Sequence, residues 1–187
     1  MKNESLLPQA GRLLIAQPLL GDPNFDKAVV LLTDHNPQGS VGFVLNRPLS
    51  FNLNELLIDF PPLKGVVYYG GPVRDDSLFF IHRKGDLIPG GQPIANGWHW
   101  GGDLEPLKEL IRSELIQTND IRFYLGYSGW GARQLEDELE QKSWLVNEAS
   151  SVNPFTDKPG DMWLQVMRSQ GEEFSIWLNA PSDPSLN

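Results

Sequence analysis

Short apolar segments separated by turn-forming residues fill much of the first half of the chain. Residues 28–33 form a nearly continuous apolar run, which is typical of a strand buried on both faces. The turn-rich stretch at residues 36–40 separates this run from a second apolar run at residues 41–46. This spacing predicts a β-hairpin.

The same pattern predicts six further strands, and three of them lie in the second half of the chain, between the predicted helices. They are residues 11–16, 66–69, 78–82, 94–100, 121–125 and 144–146. Strands that cluster early and alternate with helices late favour a mixed α+β fold over a regular doubly wound sheet.

Helical spacing is clearest after Asp103, a suitable N-cap, where the stripe is Leu104, Leu107, Leu110, Ile111 and Leu115. A shorter helix is predicted to begin at Ser50 or Asn52, because Glu55 stands three residues after Asn52 as in a capping box. Two more helices are predicted, one ending near residue 141 and one running from residue 162 to a Gly171 cap.

Residues 1–10 are predicted to be a loose lead-in, residues 11–179 one domain, and residues 180–187 an irregular tail.

Composition narrows the possible function. The 187 residues carry a net charge of −9, most of it in the second half, and this acidity disfavours contact with a phosphate backbone. There is no cysteine, which excludes disulfides and thiolate sites and fits a reducing compartment. The first residues do not resemble a signal peptide, and no apolar run is long enough to span a membrane. We therefore expect a soluble cytoplasmic protein.

The main candidate site is the glycine-rich stretch at residues 126–131, interpreted as a tight turn between a strand and a helix. Ser128 lies in a sequence that begins like a nucleophile elbow, but Trp130 occupies the position of its second glycine. His35, His82 and His99 all precede the serine, so a hydrolase triad in its usual order is excluded. The simplest alternative is that Ser128 caps the following helix.

An intermediate hypothesis is anion binding at this turn. The backbone N–H groups of Gly129, Trp130 and Gly131 would lie at a helix N-terminus, and the Ser128 hydroxyl would add a donor. A charged partner would come from another loop, with Arg47 or Arg74 as candidates. The predicted ligand-binding set is therefore Ser128, Gly129, Trp130, Gly131, Asn46 and Arg47.

No cofactor or metal site is predicted. The histidines are far apart in the sequence, and adjacent acids such as Asp75 and Asp76 are more often part of a surface turn. Four acids of the helix that follows the turn are expected to face water. They are Glu136, Asp137, Glu138 and Glu140. The six tryptophans are expected to pack in the core rather than to stack on bases.

Several motifs together resemble the YqgE/AlgH family of bacterial proteins. They are Gly11-Arg12-Leu13-Leu14-Ile15-Ala16 with Pro18, Leu19 and Asp22; Phe25 with Val29-Val30-Leu31-Leu32; Gly42-Phe43-Val44-Leu45-Asn46-Arg47-Pro48; Tyr69-Gly70-Gly71-Pro72-Val73; and Gly126-Tyr127-Ser128-Gly129-Trp130-Gly131 with Gln134-Leu135-Glu136 and Glu138. The loop at residues 96–102 is more aromatic than the resemblance leads us to expect.

The resemblance implies a single α+β domain in which a largely antiparallel, partly barrel-like sheet is surrounded by helices. It implies no catalytic residues, and one branch of the family is named a transcriptional regulator. Our main hypothesis is a non-enzymatic accessory or regulatory protein that binds a small anionic ligand or a protein partner near residues 126–131. The alternatives are a transcriptional regulator and a hydrolase or transferase that uses Ser128. Direct DNA contact fits poorly with the acidic composition and with the absence of a recognisable helix-turn-helix.

Overall fold

Ten strands and four α-helices are found in residues 6–18 and 20–170, the part of the chain that the computed structural model describes. The strands are β1 (Arg12–Ala16), β2 (Val29–Asn36), β3 (Gly39–Val44), β4 (Pro48–Asn52), β5 (Val66–Tyr69), β6 (Val73–His82), β7 (Gln92–Pro93), β8 (His99–Trp100), β9 (Ile121–Gly131) and β10 (Trp144–Glu148). The helices are α1 (Leu53–Leu56), α2 (Leu104–Arg112), α3 (Gln134–Glu140) and α4 (Pro159–Ser169).

The long strand β9 is the centre of the sheet. Its first part pairs antiparallel with β6, its last four residues pair antiparallel with β3, and Tyr124 and Leu125 pair parallel with β5. Gly126 makes this possible, because its φ of 67° bends the strand where the partner on one edge changes. One strand thus joins the early hairpin to the later strands.

The strands follow the order β10-β1-β2-β3-β9-β6-β8-β7, with β4 attached through β5. Apart from the β5–β9 pair, the pairings between described strands are antiparallel. The path is open, so the sheet does not close into a barrel. The predicted α+β domain with a largely antiparallel sheet is confirmed.

Three apolar clusters hold helices and loops against this sheet. In the first, α4 packs its buried face against the sheet, and the Trp163 indole donates to the Ala16 carbonyl of β1 at 2.9 Å. The second cluster packs α1 and α2 through Leu53, Leu107 and Ile111. The third places Leu135 of α3 beside two tryptophans.

None of the described helices is long and apolar enough to cross a membrane.

Most elements predicted from local pattern are present. The hairpin of β2 and β3 is confirmed, as are the helix after Asp103 and the short helix after Asn52, whose backbone N–H donates to Glu55 Oε2 at 2.7 Å. The strand predicted at residues 94–100 is wrong for most of its length, because only β8 at its end is extended and paired. Residues 1–5, Leu19, the Gly171 cap and the tail at residues 180–187 lie outside the described residues.

The largest error is at residues 126–131, where the sequence predicted a turn and the structure has the second half of β9. The register Gly42↔Ser128 and Ser40↔Trp130 shows the reason. Glycine-rich backbone has little preference for extended structure by itself, but here it completes the hydrogen-bonded ladder of β3. Pairing with a distant strand therefore overrides the local turn signal.

We predict that Gly126→Ala lowers the free energy of unfolding by about 2–4 kcal/mol. An added Cβ would lie 2.3 Å from the Gly71 carbonyl oxygen, and alanine would have to adopt a φ of 67°. Urea denaturation followed by circular dichroism measures the effect. Gly160→Ala in α4 is the matched control, since nothing lies within 4 Å of its added Cβ and the variant should be as stable as the parent or slightly more stable. Equal stability of the two variants would contradict the prediction.

Candidate functional site

Ser128 lies inside the sheet rather than at a helix N-terminus. Helix α3 begins at Gln134, and its preceding residue is Arg133, so the predicted capping role of Ser128 is wrong. The serine is 0% exposed, and its hydroxyl donates to the Gly70 carbonyl at 3.0 Å. The same carbonyl also accepts from the Val44 backbone N–H at 2.9 Å. The hydroxyl therefore joins β9 to the segment after β5.

The backbone N–H groups of residues 129–131 do not form an open anion-binding turn. Gly129 and Trp130 lie in the ladder opposite Val41 and Ser40. The Gly131 N–H donates to Gln134 Oε1 at 3.0 Å. The geometry of a helix N-terminus, on which the predicted role of these N–H groups depended, is absent here.

Glu138 links Trp130 to a second tryptophan. Its Oε2 accepts from the indole N–H of Trp130 at 2.9 Å and of Trp144 at 2.7 Å, and its Oε1 accepts from the Gln134 amide at 2.9 Å. Phe25 packs against both indoles. The prediction that Glu138 faces water is wrong, because the carboxylate is needed to satisfy two buried donors. Core packing is confirmed for Trp98, Trp130, Trp144 and Trp163.

Asn46 and Arg47 anchor the loop between β1 and β2. Asn46 Oδ1 accepts from the Val29 N–H at 3.0 Å, and its Nδ2 donates to the Lys27 carbonyl at 2.9 Å. The Arg47 guanidinium donates to the Pro23 carbonyl at 3.0 Å and to the Asp26 carbonyl at 2.9 Å. These four bonds place the loop beside the start of β4.

An open surface depression of about 560 Å³ lies next to this anchor. It is lined by Asn24, Asn46, Arg47, Pro48, Leu49 and Tyr69. We call it the Arg47 depression. The Tyr69 hydroxyl donates to Asn24 Oδ1 at 3.1 Å, and the Tyr69 N–H donates to the Arg47 carbonyl at 2.8 Å.

The charges around the Arg47 depression are mixed. Burial raises the pKa of the Tyr69 phenol; the Arg47 guanidinium opposes this rise, and the carboxylates of Asp75 and Asp22 add to it. The phenol is therefore a neutral donor at physiological pH. One guanidinium close to two carboxylates suits a ligand with a single anionic group better than a polyanion.

The structure separates the predicted ligand-binding residues. Asn46 and Arg47 lie together at the depression, and Ser128 lies behind Gly70, the residue that follows Tyr69. Trp130 belongs to the cluster with Glu138. Ser128 of β9 is therefore connected to the Arg47 depression through residues 69 and 70. A turn at residues 126–131 plays no part in this arrangement.

A second cavity, of about 70 Å³, contains a residue that the sequence interpretation missed. Its lining is formed by Leu53, Leu63, Lys64, Gly65, Val66, Tyr68, Thr118, Ile121, Arg122, Phe123 and Phe155. Arg122 is 8% exposed, and its guanidinium lies 4.2 Å from the centre of the Tyr68 ring. The sequence did contain a signal, because one arginine interrupts an otherwise apolar strand, Ile121-Arg122-Phe123-Tyr124-Leu125.

Comparison with known proteins places the chain in a family. A profile of the AlgH-like family matches residues 13–175. The protein belongs to the AlgH-like family. A UPF0301 protein of Chlorobium limicola is 44% identical over 187 residues, which cover 100% of both chains. A UPF0301 protein of Cytophaga hutchinsonii is 41% identical over 95% of this chain and 98% of its own.

Two solved structures share this fold. The solution structure of the AlgH protein from Pseudomonas aeruginosa has a TM-score of 0.72 and 30% identity, covering 96% of this chain and 99% of that chain. A crystal structure of a protein from Corynebacterium diphtheriae has a TM-score of 0.73, with 22% identity over 95% of each chain. The AlgH-like assignment therefore rests on sequence and on architecture.

Two histidine rings stack where the end of β6 pairs with β8 in this AlgH-like chain. His82 and His99 lie 5.5 Å apart with an interplanar angle of 22°. His82 Nε2 lies 3.1 Å from the Gly101 carbonyl, and its Nδ1 accepts from the Lys84 N–H at 3.3 Å. These contacts suit the neutral ring with the proton on Nε2. Within residues 6–18 and 20–170, no three His, Asp or Glu side chains are grouped as a metal site.

We predict that Glu138→Ala destabilises the protein by about 2–4 kcal/mol, because two buried indole N–H groups lose their acceptor. Chemical denaturation gives the free energy of unfolding, and the near-ultraviolet circular dichroism reports on the indole environment. Glu140→Ala removes an exposed acid from the same helix and should change stability by less than about 0.5 kcal/mol. Similar losses in both variants would show that the indole contacts of Glu138 are not the cause.

His82 should make the protein less stable as the pH falls from about 6.5 to about 4. Burial is the main cause that lowers its pKa from 6.5 to about 4; the Gly101 carbonyl opposes the shift, and His99 adds to it. The unfolded chain therefore gains a proton in this range before the folded chain does, at a cost of at most about 3 kcal/mol.

Thermal unfolding measured from pH 7 to pH 4 tests this dependence. In His82→Gln much of the slope below pH 6.5 should disappear, although the variant should be less stable at pH 7. His99→Gln keeps the two polar contacts of His82 and should retain most of the slope. An unchanged slope in His82→Gln would assign the pH dependence to other groups.

Proposed function

We propose that this AlgH-like protein is a non-enzymatic cytoplasmic accessory or regulatory protein that binds a small ligand with one anionic group at the Arg47 depression. The observation that carries the proposal is the combination of an open volume of about 560 Å³ with a pre-positioned guanidinium. A volume of this size is in the range of small-molecule sites.

Arg47 is fixed before any ligand arrives. Two of its N–H bonds are directed at the carbonyls of Pro23 and Asp26, which hold the planar guanidinium in one orientation. Arginine has five N–H donors, so others remain to meet a carboxylate or phosphate oxygen. A donor held in place loses less conformational entropy on binding.

The neighbouring groups define the rest of the ligand. Asn24 uses its carbonyl oxygen for the Tyr69 hydroxyl, which leaves its amide N–H₂ as a donor at the same opening. Asp22 and Asp75 are close enough to influence the Tyr69 phenol. Together these groups favour a ligand with one anionic group that also carries hydroxyl or amino groups, and they disfavour a nucleoside triphosphate.

Segments that carried the family resemblance meet at the Arg47 depression. Asp22 caps the loop through the Asn24 N–H, Asn46 and Arg47 hold that loop, and Tyr69 closes the opposite side. These residues are distant in the sequence. Their convergence on one opening supports a site there.

The two alternative functions have less support. As a nucleophile, Ser128 would need a base within hydrogen-bonding distance, yet the described partner of its hydroxyl is a carbonyl oxygen. Direct DNA binding would need a cationic surface, whereas the net charge is −9. A regulatory role that depends on a ligand is compatible with both observations.

The test is a thermal-shift screen of hydroxy acids, amino acids and sugar monophosphates against the wild type and Arg47→Lys. A ligand at about 100 times its Kd adds about 2.7 kcal/mol, so the Tm should rise by about 5–10 °C. Arg47→Lys keeps the charge but loses the planar fork, and it should reduce the shift.

Arg112→Lys is the matched control, because this arginine lies on α2 and pairs with Glu109 on the surface. It should leave the shift unchanged, whereas Asn24→Ala should reduce it. A ligand whose shift is the same in the wild type, Arg47→Lys and Asn24→Ala binds elsewhere and would refute the Arg47 depression as its site. The absence of any shift with all three ligand classes would refute the proposed ligand chemistry.

A further inference from the structure

We propose that the cavity of about 70 Å³ lined by Arg122, which we call the Arg122 cavity, is a second binding site for a single oxyanion group, either a carboxylate or a phosphate. It is separate from the Arg47 depression, and the two have no lining residue in common. The proposal does not depend on a ligand at the Arg47 depression.

The cavity exists because two parallel strands begin to pair late. The register of β5 and β9 has partners only at Tyr68↔Tyr124 and Tyr69↔Leu125. Ahead of these pairs, the backbone near Val66 and Arg122 encloses about 70 Å³. The Thr118 hydroxyl donates to the Lys64 carbonyl and ties together the two segments at the opening.

Arg122 is a buried cation that lacks a carboxylate partner among the described residues. Its Nη1 makes a long hydrogen bond of 3.4 Å to the Leu45 carbonyl, and the guanidinium also interacts with the Tyr124 hydroxyl. The guanidinium stays charged at any physiological pH, and an uncompensated buried charge is costly. Several of its donors are thus available to an anion in the cavity.

The surrounding charges also favour an anion. Lys64 lines the cavity with Arg122. The nearest carboxylate in sequence, Asp120, is already paired, with Arg83 Nε at 2.9 Å and with Lys84 Nζ at 3.5 Å. Cations therefore outnumber acids here, although the whole chain carries a net charge of −9. An anion entering this region meets an attractive local field.

The volume limits what can enter. A cavity of about 70 Å³ has room for a small oxyanion such as a carboxylate or phosphate group. Tyr68 and Phe155 supply apolar walls beside the guanidinium. A larger ligand would insert only its anionic end, and the remainder would lie outside the opening.

The experiment is a set of NMR titrations of the full chain with sodium acetate, inorganic phosphate and sodium chloride at matched ionic strength. Acetate or phosphate should cause saturable shifts of the amide signals of residues 64–66 and 118–123, and chloride should not. The arm that saturates identifies the oxyanion class. If neither oxyanion causes saturable shifts, or if chloride reproduces them, the proposal is overturned.

Variants decide whether Arg122 is the ligand-binding group. Arg122→Met should abolish saturable binding, and Lys64→Ala, on the exposed rim, should weaken it about tenfold. Arg112→Lys, on the surface of α2, is the matched control and should leave this binding unchanged. Unaltered affinity in both Arg122→Met and Lys64→Ala would refute the site.

Stability without ligand separates a binding role from a structural role. If the role of Arg122 is to bind an anion and not to stabilise the fold, Arg122→Met should unfold at the same temperature as the wild type or higher when no oxyanion is present. Added phosphate or acetate should then raise the Tm of the wild type alone. A Tm of Arg122→Met well below that of the oxyanion-free wild type would make Arg122 a structural residue. If this variant fails to fold, Lys64→Ala still tests the site.

Discussion

Close backbone contact between residues 70–71 and 126–128 is the constraint on which the sheet depends. The Gly70 N–H donates to the Leu125 carbonyl, while the Gly70 carbonyl accepts from Val44 and from the Ser128 hydroxyl. A Cβ at Gly70 would lie 2.3 Å from the Gly126 oxygen. Only glycine permits this approach, and it lets β3, β5 and β9 meet at one place.

Half-buried Glu138 and buried Arg122 show two opposite treatments of a charged side chain in this fold. The Glu138 carboxylate accepts three hydrogen bonds from side chains, two of them from tryptophans, so its partners all lie within the protein. Arg122 has only the face of Tyr68, the Tyr124 hydroxyl and one long hydrogen bond to a carbonyl, and no carboxylate partner among the described residues. Polar groups in a protein interior are normally hydrogen-bonded. Glu138 meets this requirement within the fold, whereas the few contacts of Arg122 point to a ligand.

Local pattern predicted the elements whose neighbours are close in sequence. The hairpin of β2 and β3 and the helix after Asp103 follow from turn residues, a cap and apolar periodicity. The turn prediction for residues 126–131 is wrong because glycine and serine, which make up most of this stretch, are also residues that turns favour. In the structure, buried Ser128 and Trp130 alternate with exposed Gly129 and Gly131, as residues of a strand do.

The sequence by itself determined the family, the mixed α+β class and the position of most strands and helices, because these depend on motifs and on local periodicity. It also placed Asn46 and Arg47 in the predicted ligand-binding set. Only the tertiary structure decided that Ser128 is internal, that Glu138 satisfies two tryptophans and that Arg122 lines a cavity. Each of these facts depends on strand pairings or side-chain contacts between residues that are not neighbours in the chain, and such contacts leave little trace in local sequence pattern.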